Sequence, residues 1–185
     1  MKKTAAILLC LFLLTGCIGN NKDLERAMGL RAKLLSASCS FDAEITADYS
    51  DELYTFSVSC TGESSGKLGF TITAPDTIAG ITGTISNGEG KLTFDDTAVA
   101  FPLLADGQVT PVSAPWLLLK TLQGGYLTSA GMDGELLRLT IDDSYEEDAL
   151  QLDIWLSGED APIRADILYD GRRSLTLKVT NFQIL

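Results

Sequence analysis

Gly62-Glu63-Ser64-Ser65-Gly66 has the Gly-x-Ser-x-Gly spacing that presents a nucleophilic serine where a strand turns sharply into a helix. Two requirements of that chemistry fail. The stretch joins two segments of strand-like alternation, and the chain has no histidine to serve as a base for Ser64. It fails as a phosphate loop too, because only three residues separate Gly62 from Gly66 and Leu68 follows Lys67 where Ser or Thr is needed. The acidic groups Asp95-Asp96, Asp142-Asp143 and Glu146-Glu147-Asp148 are the remaining candidates for glycoside or metal chemistry. All fall at expected strand ends. The last two groups have oxygen ligands hard enough for calcium, but neither the spacing nor the glycine of an EF-hand loop. Without histidine, zinc would have only carboxylates and cysteines. The sequence therefore predicts no catalytic residue, no metal and no cofactor, and reads each of these motifs as a turn.

Four cysteines remain, at positions 10, 17, 39 and 60, and they divide by context. Lys2 and Lys3 precede an apolar run from Ala5 to Leu14. That run suits the core of a signal peptide and is well short of the roughly 20 residues a membrane-spanning helix needs. Leu14-Thr15-Gly16-Cys17 then resembles the bacterial lipobox, in which small residues admit the lipoprotein signal peptidase ahead of a diacylglyceryl-modified cysteine. The resemblance implies cleavage after residue 16, lipid on Cys17, and export to a bacterial membrane held by thioether-linked acyl chains. Residues 1–16 are then signal, 17–21 a lipidated tether and 22–185 a single domain.

Loss of Lys2 and Lys3 takes 14 Lys and Arg to 12, against 25 Asp and Glu, a formal net charge of −13. Nucleic acid is an unsuitable partner for such a chain. Lys22, Arg26, Arg31 and Lys33 cluster beside the expected anchor. Lys22, Arg26 and Lys33 share a helical face, suited either to anionic headgroups or simply to solvent.

Strand periodicity dominates the rest. Cys39, Phe41, Ala43, Ile45 and Ala47 alternate with polar residues, and after Tyr49-Ser50-Asp51-Glu52 the pattern resumes with Tyr54, Phe56, Val58 and Cys60. An antiparallel hairpin keeps these faces together when paired positions sum to an odd number. A sum of 99 sets Cys39 opposite Cys60 and predicts a disulfide in an exported protein, whereas a slip of two sets Phe41 opposite Cys60. Alternation continues through Leu68–Ala74, a glycine-rich stretch from Ala79 to Ile85, and two short strands at Leu92-Phe94 and Val99-Phe101. Asn87-Gly88 and Asp106-Gly107 supply turns. After Pro115, Trp116 to Leu122 form a short apolar helix stopped by Gly124-Gly125. Four strands follow, around residues 137–141, 150–156, 163–169 and 175–179. An amphipathic helix precedes them all, with Leu24, Ala27, Met28, Arg31 and Leu35 at helical spacing. About ten antiparallel strands with only two helices to cover them predict a mainly β domain whose sheet curls around those helices.

This order, behind a lipobox, resembles the LolA/LolB-like superfamily of bacterial envelope proteins. The likeness is carried by the first helix leading into Phe41-Asp42-Ala43-Glu44, the Gly66-Lys67-Leu68-Gly69-Phe70-Thr71-Ile72 strand with Pro75, and the Tyr169-Asp170-Gly171 hairpin with Leu175 to Phe182. It implies a half-open barrel whose concave face holds acyl chains. Phe41, Phe56, Phe70, Ile72, Trp116 and Leu119 are the expected cavity residues, and Trp116–Leu122 the expected lid. The other reading is an interaction module for an envelope or spore-envelope protein partner, its interior filled by its own side chains. The glycines of the fourth strand favour the cavity by removing bulk.

Overall fold

The computed structural model describes residues 21–49, 52–105, 108–146 and 149–185. The expected signal (1–16), Cys17 and its tether up to residue 20, and parts of the Ser50-Asp51, Asp106-Gly107 and Glu147-Asp148 turns lie outside the described residues. Helix α1 (Asn21–Ser36) leads into β1 (Cys39–Asp48), β2 (Leu53–Gly62), β3 (Leu68–Ala74), β4 (Thr82–Ser86), β5 (Glu89–Phe94) and β6 (Thr97–Pro102). A two-stranded ribbon, β7 (Leu104–Ala105) and β8 (Gln108–Val109), and a 3-10 turn (Pro111–Ser113) precede helix α2 (Ala114–Gly124). The chain closes with β9 (Tyr126–Asp133), β10 (Leu136–Asp142), β11 (Gln151–Leu156), β12 (Pro162–Tyr169) and β13 (Arg172–Ile184).

Eleven strands form one antiparallel sheet in the order β6-β5-β4-β3-β2-β1-β13-β12-β11-β10-β9. It is two meanders joined where the first strand meets the last, Ala43 opposite Val179 and Ile45 opposite Leu177. Right-handed twist accumulates over so many strands, and one face of each central strand is apolar, so the sheet bends around whatever covers that face. Ile45, Leu68, Leu137, Ile154 and Leu177 are fully buried on it. The mainly β, curved-sheet architecture expected from the alternation is the one observed. No helix among the described residues is long and apolar enough to cross a membrane.

Several details differ from expectation. The β1–β2 hairpin pairs Phe41 with Cys60 and Cys39 with Gly62, a register two residues from the one that would oppose the cysteines. A strand at Tyr126–Asp133 was not expected, because as an edge strand it buries neither face and shows no clean alternation. Ala79 and Ile81 belong to a turn instead of β4: Ile78 and Ala79 donate to the Pro75 carbonyl, and Gly80, at φ +88°, donates to that of Ile72. Helix α1 buries Ala27, Leu30 and Leu34, and leaves Leu24, Met28 and Leu35 exposed. The face expected to pack inward is thus mostly the outward one. Helix α2 is buried on almost every side from Ala114 to Gln123, which suits a helix apolar all round. It is a plug in the curl of the sheet, held too fully to serve as the expected lid.

Candidate functional site

Helix α2 is fixed at its C-terminal end by polar side chains, beside the Gly125 amide that donates to the Thr121 carbonyl at 2.8 Å. Arg31 reaches across from α1, its Nε donating to the Leu122 carbonyl at 2.9 Å and a terminal nitrogen to those of Gly125 at 2.7 Å and Thr121 at 3.4 Å. A helix C-terminus exposes carbonyls and partial negative charge, so a guanidinium fork is a suitable cap. Burial pulls the Arg31 pKa below the usual arginine range. Gln123 is buried and donates to the carbonyls of Leu34 at 3.0 Å and Glu63 at 3.1 Å, tying both helices to the turn between β2 and β3. That turn is the Gly-x-Ser-x-Gly stretch. Glu63 donates to the Lys67 carbonyl and Gly66 to that of Glu63, with Gly66 at φ +84°, so the motif closes a hairpin and Ser64 stands on no elbow.

Trp116 completes the clamp, its indole nitrogen donating to the Gly66 carbonyl at 2.8 Å. Beside it an opening of about 500 Å³ lies between α1, α2 and the 63–66 and 87–88 turns. Its apolar walls are Leu35, Leu103 and Trp116, and its polar rim includes Ser64, Asn87 and Lys120. The Lys120 ammonium stands 5.4 Å from the centre of the Trp116 ring and 3.5 Å from an Asp143 carboxylate oxygen. Apolar walls with one cation at the rim match an amphiphile: a chain on the aromatic surface, an acidic group near Lys120. A larger groove of about 880 Å³ borders β4–β6, where Thr84, Lys91 and Ala100 fall on the strand positions opposite to Ile85 and Leu92. Its lining also includes Glu89, Phe101 and Leu103, and it runs along the free edge of the sheet.

Of the six expected cavity residues, Phe41, Phe56, Phe70, Ile72 and Leu119 are buried parts of the core. Phe41, Cys60, Phe70 and Gly83 lie in one row across four strands. The space opened by Gly83 is taken by Phe70: a Cβ there would come within 2.2 Å of the ring. Gly62 likewise makes room for Leu119, whose Cδ2 would be 2.6 Å from an added Cβ. Missing bulk in the strands is therefore filled from within, and the cavity expected at those residues is packed core. Trp116, of the six, borders the opening described above. Sequence reading missed Leu35, Leu103 and Lys120 as its companions. Lys120 had a signal, as the one cation in the apolar run from Trp116 to Leu122 and one helical turn beyond the indole.

Cys39 and Cys60 are free and buried. As diagonal neighbours on a paired sheet their Cα atoms are about 7–8 Å apart, beyond the 4.4–6.8 Å a disulfide normally spans. Burial, then the Asp42 charge and Cys39, push the Cys60 thiol far up, and burial raises Cys39 as well. Both thiols should resist alkylation in the folded protein and react, two per chain, once it is unfolded without reductant. A pair that reacts only after reduction would return the hairpin to the cysteine-opposed register.

The acidic turns are occupied by protein donors. Asp143 accepts from the Leu150 amide at 2.8 Å and Asp142 from Gln151 at 3.1 Å. Asp95 and Asp96, at φ +47° and +60°, are the central residues of the β5–β6 hairpin turn. The Lys22/Arg26/Lys33 face is also divided, since Arg26 pairs with Asp160 at 2.6 Å and donates to the Ser157 carbonyl.

No protein-family model matches the chain, and no curated protein matches it by sequence. Solved structures of similar course include an uncharacterised conserved protein of Thermus thermophilus, 14% identical over 88% of this chain and 87% of that one, with a TM-score of 0.48. A putative outer membrane lipoprotein-sorting protein domain of Vibrio parahaemolyticus is 10% identical over 89% and 92%, with a TM-score of 0.49. A LolA superfamily protein of Nitrosomonas europaea is 8% identical over 86% and 93%, with a TM-score of 0.44. What these proteins share with this chain is its course through space; the function below is argued from this chain's own residues.

Proposed function

We propose that the chain is a non-catalytic lipoprotein of the bacterial envelope, anchored through Cys17 after loss of residues 1–16, that binds one amphiphile at the opening beside Trp116. The ligand is an acyl chain with an acidic headgroup. The observation that carries the reading is the placement of Lys120 over the rim of an apolar opening walled by Trp116, Leu35 and Leu103. Nothing else at the opening is arranged for bond-making: Ser64 and Ser65 belong to a hairpin turn, and the chain has no histidine.

Trp155 is the second tryptophan, flanked by Arg138 and Arg164 and donating to Asp133, so Trp155→Phe leaves Trp116 as the reporter. In the chain from residue 18 onward, brominated fatty acid should quench Trp116 saturably. Lys120→Met should weaken the acid about tenfold, the equivalent of roughly 1.4 kcal/mol, and leave the matching fatty alcohol unchanged. Equal weakening of both would remove the headgroup from the reading, and quenching that rises without saturation would remove the ligand.

The second reading, a protein-interaction module, is favoured by the filled interior and by β6. That strand is the free edge of the sheet, and its Thr97-Ala98-Val99-Ala100-Phe101 carry no charge, with Val99 exposed. An edge of this kind can take another strand. It becomes the better reading if the titration fails.

A further inference from the structure

The outward face of α1 is apolar where a solvated helix would be polar. Leu24, Met28 and Leu35 are 47, 47 and 54% exposed, and their spacing puts them on one stripe, with Ala32 beside them. The neighbouring face already has its partners, since Ala27, Leu30 and Leu34 enter the core, and Arg31, at the margin of the stripe, reaches across to α2. The exposed half of the stripe has no such cover among the described residues. Its position along the chain says what covers it. Cys17 precedes the first helical residue by four positions, a reach of at most about 14 Å. Leu24 lies within the first turn of the helix that follows, so an acylated Cys17 keeps the stripe at the membrane surface. The exposed cations Lys22 and Lys33 lie on the far side of the helix from the stripe, so the orientation rests on the apolar stripe and the nearness of the anchor.

We infer that α1 lies on the bilayer with Leu24, Met28 and Leu35 in the headgroup and upper acyl region, so that the domain is held in one orientation and not merely tethered. The inference rests on the Cys17 anchor proposed above. It has a consequence for the opening beside Trp116. Leu35 ends the stripe and also walls that opening, so the mouth faces lipid and an amphiphile passes between membrane and protein without crossing water.

The test uses the full lipidated chain in vesicles of phosphatidylethanolamine and phosphatidylglycerol. Acylation occupies Cys17, and Cys39 and Cys60 are buried, so an introduced surface cysteine is the one reactive thiol under native conditions. An environment-sensitive nitrobenzoxadiazole probe is placed at Met28→Cys and, separately, at Leu35→Cys, with Lys33→Cys as the control on another side of the helix. The probes at 28 and 35 should brighten about threefold on reconstitution and be quenched by lipid-borne nitroxide, as expected of an apolar face entering the interface. The probe at 33 should do neither. Flotation of each sample reads the anchor separately. Protein that floats while the probes at 28 and 35 report water, or while all three report lipid alike, overturns the inference and leaves the anchor intact. Protein that fails to float overturns the anchor and the inference together. Flotation lost in Cys17→Ala but present in the parent ties the anchor to that residue.

Discussion

Gly83→Ala should destabilise the protein by about 2 kcal/mol, lowering its melting temperature by roughly 4–8 °C, although it adds a single methyl group. An added Cβ would meet Phe70 Cζ at 2.2 Å and Cε1 at 2.6 Å, distances at which something must move. Phe70 has nowhere to go, because it is buried and shares a row with Cys60 and Phe41 on the neighbouring strands. The comparison is Gly90→Ala. Its Cβ would also come within 2.2 Å of a ring, that of Phe101, but β6 is the edge strand and Phe101 is half-buried, so the ring can swing outward. That variant should cost less than about 1 kcal/mol. Shortening Phe70 to Leu in the Gly83→Ala background should recover part of the loss, giving a coupling of about 1 kcal/mol or more, as packed neighbours do. A neutral Gly83→Ala, read by thermal unfolding, would mean unfilled room under the sheet. The acyl chain would then have a seat among Phe41, Phe56 and Phe70 after all.

That contest between cavity and core could not be decided from periodicity, which reports the face a side chain takes and not what fills the space in front of it. Gly83 reads the same in both cases. The strands themselves were legible for the converse reason: β1, β3, β10 and β13 each bury one face, and alternation is the direct record of that. Strand β9 was hidden because its position at the edge requires no alternation.

Register and helix face show two further limits. A slip of two residues preserves every inward side chain, so the apolar pattern of β1 and β2 allows both pairings, with Cys39 opposite either Cys60 or Gly62. Turn chemistry was the available arbiter. The cysteine-opposed register needs a two-residue turn at Tyr49-Ser50, which lacks the glycine or asparagine that such turns favour; the observed hairpin pairs Asp48 with Leu53 and spends four residues on the connection. In α1 two stripes compete at helical spacing. Leu24, Met28 and Leu35 outweigh Ala27, Leu30 and Leu34 in bulk, and the second stripe also carries Asp23. That acid was no obstacle, since a carboxylate in the first turn is favoured by the helix dipole. The heavier stripe is the one left outside, which is the observation the membrane-facing orientation rests on.

Arg31→Ala should be the most damaging change on the surface of α1, with a loss of about 2–3 kcal/mol and a melting temperature lower by roughly 5–10 °C. The guanidinium makes up to three hydrogen bonds to main-chain carbonyls at the end of α2, and its removal takes this donor from the Leu122 and Gly125 carbonyls, while that of Thr121 keeps the Gly125 amide. A fixed planar fork serves several carbonyls at once, while an ammonium serves them one at a time, so Arg31→Lys should recover less than half of the loss. Lys33→Ala, two residues along the same helix and exposed, should stay within about 0.5 kcal/mol of the parent. The effect should also reach the opening. With the Arg31 cap gone, the C-terminal end of α2 loses its tie to α1 through that residue, and Trp116 emission in the Trp155→Phe background should shift to the red before global unfolding begins. Destabilisation without that early shift would separate the cap from the Trp116 site and make Arg31 a purely structural link between the helices.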